Sequence, residues 1–172
     1  MFDKIYSFRG KHAKMVNKLT GEFDNNQNKL FEHNYDVYKL APMIGFLYQR
    51  KAVVDTSDGI TTKIFVEQLM DNQDDFMFNY RLIMLLDKGN EPDAEKRIEK
   101  AFRGIENKED EALYESYVRG GVEVLYEKLM EDVKAPDEYV TRLYDFLEDF
   151  DTRYHQSLDM GQVLELCRKA KV

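Results

Sequence analysis

The stretch LYESYVRGGVEVLYEKLME, residues 113–131, reads as one amphipathic helix with two adjacent glycines in its middle. Apolar residues recur three and four positions apart on both sides of Gly120 and Gly121, which is the spacing of a helix face. Each glycine inside a helix costs about 1 kcal/mol relative to alanine. We therefore expect a kink, or two helices that meet at a tight turn, so that both faces reach one core. The alternative is that the backbone of another helix, or of a partner protein, crosses closely at the glycines.

Helical spacing continues through most other segments, so the sequence predicts an all-α fold, a single-domain helical bundle over residues 1–172. Residues 35–50 are expected to form a buried central helix, in which Pro42 predicts a kink or a helix start near Leu40. Residues 134–172 are expected to form a C-terminal helical extension that packs on the core.

Residues 76–88 predict a strongly apolar helix that ends at Gly89. Its apolar side chains form two neighbouring stripes. The first stripe consists of Phe76, Tyr80, Ile83 and Leu86, and the second consists of Phe78, Leu82 and Leu85.

Residues 52–66 are the one region whose composition suits an extended chain. The segments 52–54 and 60–66 are rich in β-branched residues, and the Ser-Asp-Gly sequence between them is typical of a turn. One small β-hairpin near residues 52–66 is therefore an option, although the chain from Ile64 onward could equally begin a helix.

The charge of the chain is unevenly distributed. The net charge is −8, which argues against a general nucleic-acid coat. The first 20 residues nevertheless carry five basic side chains against one acidic side chain, Asp3. If the protein contacts nucleic acid, we expect this segment to do so, through Arg9, Lys11, Lys14 and Lys18. The acidic runs at 106–111 and 144–151 are expected to be solvated helix surface, with imitation of DNA phosphates as the less favoured alternative.

Several features of the sequence suit a cytoplasmic protein. The N-terminus lacks the apolar stretch of a signal peptide, and the longest apolar run is shorter than the ~20 residues that span a bilayer. The single cysteine, Cys167, cannot form an internal disulfide, which fits a reducing compartment.

The sequence shows no catalytic constellation, and we expect no cofactor and no metal. His12, His33 and His155 lack the spacing of metal-binding motifs. The carboxylates Asp71, Asp74 and Asp75 lack the pattern of a calcium loop, and no phosphate-binding glycine loop is present. Catalysis is not indicated.

Two segments carry a resemblance to a known family. KLFEHNYDVYKLAPMIGFLYQRKAVVD, residues 29–55, and YESYVRGGVEVLYEKL, residues 114–129, are similar to a pattern in small proteins associated with bacterial Dnd (DNA phosphorothioation) defence clusters. The resemblance runs from about residue 10 to residue 132 and includes no catalytic signature. It implies an accessory role in phage defence or restriction.

The sequence therefore favours a non-enzymatic accessory protein that binds a partner protein of the same defence operon, with a homo-oligomer left open. Because Tyr and Arg are favoured interface anchors, we expect the contact to lie near the glycine pair. The predicted partner-binding residues are Tyr114, Tyr117, Arg119, Gly120 and Gly121. The alternatives are a DNA-binding module that uses the basic N-terminal segment and an acidic DNA-mimicking inhibitor.

Overall fold

A computed structural model describes residues 2–103 and 107–155 of the chain. The elements, in chain order, are β1 (Tyr6–Arg9), α1 (Gly10–Leu19), α2 (Asn34–Leu47), β2 (Thr61–Ile64), α3 (Val66–Asp71), α4 (Gln73–Leu86), α5 (Ala94–Phe102), α6 (Lys108–Leu129) and α7 (Pro136–His155). The fold class predicted from the sequence is confirmed, because the chain is mostly helical and contains a small antiparallel sheet of two strands.

The chain divides into two compact units, Met1–Glu131 and Asp132–Val172. The first unit contains β1 to α6, and the second contains α7, which begins at Pro136. The division therefore falls close to the predicted start of the C-terminal extension. The packing of that extension on the core stays a prediction, and residues 156–172 lie outside the described part of the chain.

Helices α2 and α6 cross with their backbones in contact, at the centre of the first unit. A Cβ atom on Gly121 would overlap the carbonyl oxygen of Ala41 and lie 2.9 Å from the Ala41 Cα. A Cβ atom on Gly45 would overlap the carbonyl oxygen of Tyr117 and lie 2.9 Å from the Gly121 nitrogen. Only glycine permits so close an approach, because it carries no Cβ.

Gly120 faces the segment that leaves α2. A Cβ atom there would overlap the carbonyl oxygen of Arg50 and lie 3.0 Å from the Lys51 nitrogen. Helix α6 continues through both glycines without interruption. The predicted split of this helix is therefore wrong, and the alternative is confirmed: another helix of the same chain crosses closely at the glycine pair.

Helix α2 tolerates a proline in its interior. The helix begins at Asn34 and includes Pro42, so the predicted late start near Leu40 is wrong. Proline lacks the N–H that a helix interior uses, and a carbonyl on the preceding turn loses its partner. That carbonyl belongs to Tyr38, four residues before Pro42. The carbonyl next to it, of Lys39, accepts a hydrogen bond of 2.7 Å from the side-chain amide of Asn79. Helix α4 thus supports the backbone of α2 beside the proline.

The small sheet pairs strands that are distant in sequence. β2 lies inside the predicted region 52–66, but its partner is β1, with Tyr6 opposite Ile64. Residues 52–54, which were the expected partner strand, form no strand. Phe8 of β1 and Ile64 of β2 are both buried. This pairing depends on the burial of apolar side chains from two distant segments. The Ser-Asp-Gly turn signal between residues 54 and 60 is local and could not predict it.

Candidate partner-binding groove

One of the two apolar stripes of α4 is mostly buried in the core, and the other is partly exposed. Phe76, Tyr80 and Ile83 of the first stripe are fully buried, whereas Leu86 at its end is exposed. In the second stripe the side chain of Phe78 is 63% exposed. The sequence therefore predicted both stripes, but it did not tell which one the core would take.

A groove between α4 and α5 follows the second stripe, and we call it the α4–α5 groove. It has a volume of about 660 Å³ and is lined by Gln73, Asp74, Met77, Phe78, Arg81, Leu82, Leu85 and Phe102. Phe102, on the α5 side, is 52% exposed. The volume lies within the range of about 300–1,000 Å³ that is typical of ligand-binding clefts.

Helix α5 is short, and several polar contacts fix its position beside α4. The helix has nine residues, of which Ala101 is buried. The side chain of Asp93 caps its first turn by accepting two backbone N–H bonds of 2.9 and 3.2 Å. The Arg97 guanidinium donates hydrogen bonds of 2.7 to 2.9 Å to the carbonyls of Leu85, Glu91 and Pro92. These bonds fix α5 beside α4 without bringing the apolar side chains of the two helices into full contact.

Arg81 is the basic residue of the groove. Its guanidinium carbon lies 5.5 Å from the centroid of the Phe102 ring, which is a cation–π distance. Its Nε atom is buried and has no hydrogen-bond partner among the described residues. A buried donor without an acceptor is costly, so Arg81 keeps hydrogen-bonding capacity that the described residues do not use.

The five residues predicted to contact a partner lie inside the first unit. Tyr114, Tyr117, Gly120 and Gly121 are buried, and the side chain of Arg119 is 11% exposed. The hydroxyl of Tyr114 is buried without a hydrogen-bond partner among the described residues. Burial leaves these residues almost no surface to offer to another protein. Their position therefore supports a role in packing and gives no support to a role in partner binding.

The polar groups of Tyr117 and Arg119 hold distant segments on α6. The Tyr117 hydroxyl donates a hydrogen bond of 2.8 Å to the buried carboxylate of Asp87, at the end of α4. Burial raises the pKa of Tyr117, and the bond to Asp87 raises it further. Arg119 donates from Nε to the Ala52 carbonyl at 2.9 Å and from Nη1 to Glu115 at 3.2 Å. These bonds join the end of α4 and the segment after α2 to α6.

The basic N-terminal segment is partly neutralised in the fold. The four residues predicted to contact nucleic acid lie on β1 and α1: Arg9, Lys11, Lys14 and Lys18. The Nζ atoms of Lys11 and Lys14 form ion pairs of 2.7 and 2.6 Å with Glu123 and Asp58. Lys18 donates to the hydroxyl of Tyr126 at 3.0 Å, and Arg9 is exposed. Acidic side chains that are distant in sequence thus face the lysines.

A third carboxylate, Asp55, lies at the start of α1. It accepts hydrogen bonds from the backbone N–H groups of Lys11 and Ser57, at 2.7 and 2.9 Å. These bonds lower the pKa of Asp55 to about 2, and a negative charge is favourable at a helix N-terminus. A phosphate at the basic segment would meet this carboxylate, so the electrostatic attraction for DNA is weaker than the sequence suggests.

The contact between α1 and α6 contains a buried polar pair that the sequence analysis missed. His12 is 1% exposed, and its Nε2 atom lies 3.0 Å from Glu123 Oε1. Burial lowers the pKa of His12, against the opposing effect of Glu123. Burial alone would raise the pKa of Glu123, but the bonds from Lys11 and His12 lower it. The spacing of His12 with the buried residues Val16 and Leu19, four and seven positions on, could have placed it in the core.

The buried pair of His12 and Glu123 is not open to a substrate. A general base must reach its substrate, and His12 is enclosed between two helices. A polar cleft of about 410 Å³ lies beside residues 2–6 and is lined in part by Tyr6, Tyr38 and Glu115. Burial raises the pKa of both tyrosines, so their hydroxyls stay protonated at neutral pH. Within residues 2–103 and 107–155, no three His, Cys, Asp or Glu side chains gather as a metal site.

The acidic run 106–111 contributes less to the surface than its sequence suggests. Glu106 lies outside the described residues, and Asp110 is buried. The Asp110 Oδ1 atom lies 3.0 Å from the Nζ atom of Lys100 in α5, and the two form an ion pair. At least one carboxylate of the run therefore serves the fold and is not available to imitate a DNA phosphate.

Comparisons of the chain with protein families, with curated proteins and with solved structures find no match. The resemblance to Dnd-associated proteins stays a prediction that depends on the order of short motifs. Among the described helices, none combines the length and the apolar character needed to cross a bilayer.

Proposed function

We propose that this chain is a non-enzymatic binding protein that holds a partner protein in the α4–α5 groove. We further propose that it serves as an accessory component of a bacterial DNA-modification or anti-phage defence system. The observation that carries the binding role is the exposure of Phe78 and Phe102 on facing walls of an apolar groove. The motif resemblance supports the defence setting.

The groove offers enough apolar surface to anchor a partner. Full burial of a phenylalanine side chain contributes about 1.5–3 kcal/mol relative to its exposed state. Phe78 and Phe102 are each more than half exposed, and Leu82 and Leu85 extend the same surface. Interfaces draw most of their binding energy from a few such anchors in a desolvated centre. Two aromatic anchors and a flanking arginine match that pattern.

The competing functions have less support from the described residues. A DNA-binding module would use Lys11 and Lys14, which are paired with carboxylates. An enzyme would need an accessible acid, base or nucleophile, and His12 is enclosed. The groove, in contrast, presents the exposed aromatic side chains Phe78 and Phe102.

The test is a binding assay against the products of the neighbouring genes. Each product is co-expressed with the chain, and the affinity of any complex is measured by calorimetry for the wild type and for a Phe78→Ser/Phe102→Ser double variant. We expect the double variant to keep its fold and to lose binding by at least about 100-fold, because two hot-spot anchors are removed.

A matched control is Val53→Ser, which changes an apolar residue that is 84% exposed and lies outside the groove. We expect this variant to bind like the wild type. Equal affinity of the wild type and the double variant would refute the groove as the binding surface. A chain that binds none of its neighbours' products would refute the proposed function.

A further inference from the structure

The dimensions and walls of the α4–α5 groove restrict what it can bind. Its α4 wall extends from Gln73 to Leu85, which at 1.5 Å per residue is about 18 Å. A bound helix would need about three turns to follow it. The apolar residues Phe78, Leu82 and Leu85 recur at four and three positions, and this ridge fits between the side chains of another helix.

The groove favours a helix over an extended peptide because of its backbone. An extended peptide binds by adding a strand to the open edge of a sheet, where main-chain groups are free to pair. Both walls here are helices, whose main-chain groups are paired within the helix along their interior. Side chains therefore have to supply the contact, which is how an amphipathic helix binds in a groove.

Arg81 adds a charge requirement to this surface. Its guanidinium lies against the Phe102 ring, and its buried Nε has no hydrogen-bond partner among the described residues. A carboxylate accepts bonds from a guanidinium in a geometry that no neutral side chain matches. We infer that the occupant of the groove is an amphipathic helix of a partner protein that carries an Asp or Glu beside its apolar stripe, paired with Arg81. This inference rests on the proposed function.

The groove also distinguishes its two ends. Asp74 lines it two turns before Arg81 on the same helix. A carboxylate of the occupant is attracted at the Arg81 position and repelled at the Asp74 position, so one direction of the bound helix is favoured. Charge pairs of this kind contribute to specificity and orientation more than to total affinity.

The experiment is a selection from a displayed library of 20-residue helical peptides. The apolar stripe is fixed as Leu and Phe at helical spacing, and the positions that flank it are randomised. The library is selected against the immobilised wild-type chain and, separately, against Arg81→Glu. We expect the wild type to enrich Asp or Glu at one flanking position, and Arg81→Glu to enrich Lys or Arg at that position.

A peptide selected on the wild type is then measured by fluorescence anisotropy. We expect Arg81→Gln to weaken its binding about tenfold, because the charge pair is lost while the apolar contacts remain. Phe78→Ser should abolish the binding. The control Arg103→Gln removes an exposed arginine outside the groove and should leave the affinity unchanged.

The outcomes separate the two proposals. Peptides whose binding depends on Phe78 but shows no acid preference, or no sensitivity to Arg81→Gln, would overturn the charge inference and leave the groove as a binding surface. If no selected peptide depends on Phe78, both the helical occupant and the groove as a docking surface fail. Self-association of the chain that is lost in Phe78→Ser would show that the occupant is a second copy, which would also overturn the inference.

Discussion

The two helix pairs of the first unit, α2 with α6 and α4 with α5, pack in opposite ways. At the first crossing, Gly45 and Gly121 lack the Cβ atoms that would overlap the facing backbone, and Gly120 does the same for the segment after α2. At the second, Phe78 and Phe102 stand between the helices and remain more than half exposed. We call the first region the glycine crossing and compare it with the α4–α5 groove.

The difference shows how residue size sets the separation of two helices. Side chains normally hold helix axes about 8–10 Å apart, and small residues at the contact permit a closer approach. Close approach excludes water and leaves no room for a ligand, whereas large side chains that are not interleaved leave an open cleft. The α2–α6 pair therefore stabilises the fold, and the α4–α5 pair leaves apolar side chains exposed to solvent.

The largest expected effect comes from filling the glycine crossing. Gly121→Val would place side-chain atoms on the backbone of Ala41, and neither helix backbone can move without separating the pair. We expect a loss of about 4 kcal/mol or more in the free energy of unfolding, above the 1–3 kcal/mol usual for overpacking. Urea denaturation followed by circular dichroism measures it. Gly59→Val is the control, because no atom lies within 4 Å of a Cβ at Gly59. Similar losses for the two variants would contradict the close crossing.

A smaller effect is expected from truncating the two stripes of α4. Phe76 is fully buried and Phe78 is 63% exposed, although the two residues lie two positions apart. We expect Phe76→Ala to cost about 3–5 kcal/mol of unfolding free energy. Phe78→Ala should stay within about 0.5 kcal/mol of the wild type, as surface substitutions do. The same denaturation assay compares them. A large loss for Phe78→Ala would mean that the groove is covered in solution.

The smallest expected effect is a pH dependence of the free energy of unfolding, which comes from the buried pair of His12 and Glu123. Burial lowers the pKa of His12 in the folded chain below 6.5, its ordinary value in the unfolded chain. At a pH between the folded and the unfolded pKa, the unfolded chain binds a proton that the folded chain does not. Stability should therefore fall as the pH is lowered below about 6.5, by at most about 1.4 kcal/mol for each pH unit. The lowered pKa of Glu123 adds a loss only below its ordinary value of 4.5.

Denaturation of the wild type and of His12→Gln at pH 7.5 and pH 5.5 isolates this contribution. The exposed His33 is present in both chains and cancels in the comparison. We expect the wild type to lose more stability than His12→Gln over this interval. An equal loss in the two proteins would show that His12 does not titrate as a buried group.

The sequence was informative where the signal is local. Helical spacing predicted the mostly helical fold and both apolar stripes of α4, because the 3.6-residue period is set by neighbouring residues. It also identified Gly120 and Gly121 as a structural feature. Local signals failed for the strand partner of β2, which is β1. They also failed for the lysines of α1, whose acidic partners include Asp58 and Glu123.

The sequence by itself therefore determined the helices, their apolar faces and the absence of a recognisable catalytic motif. The tertiary structure alone decided which face is buried. It places the glycine pair and Tyr117 in the core and leaves Phe78 exposed, whereas the sequence analysis expected the partner contact at the glycine pair. The physical reason is that burial depends on which helices can approach each other. That approach is set by residues such as Gly45, which lies against Tyr117 and Gly121, 72 and 76 positions later in the chain.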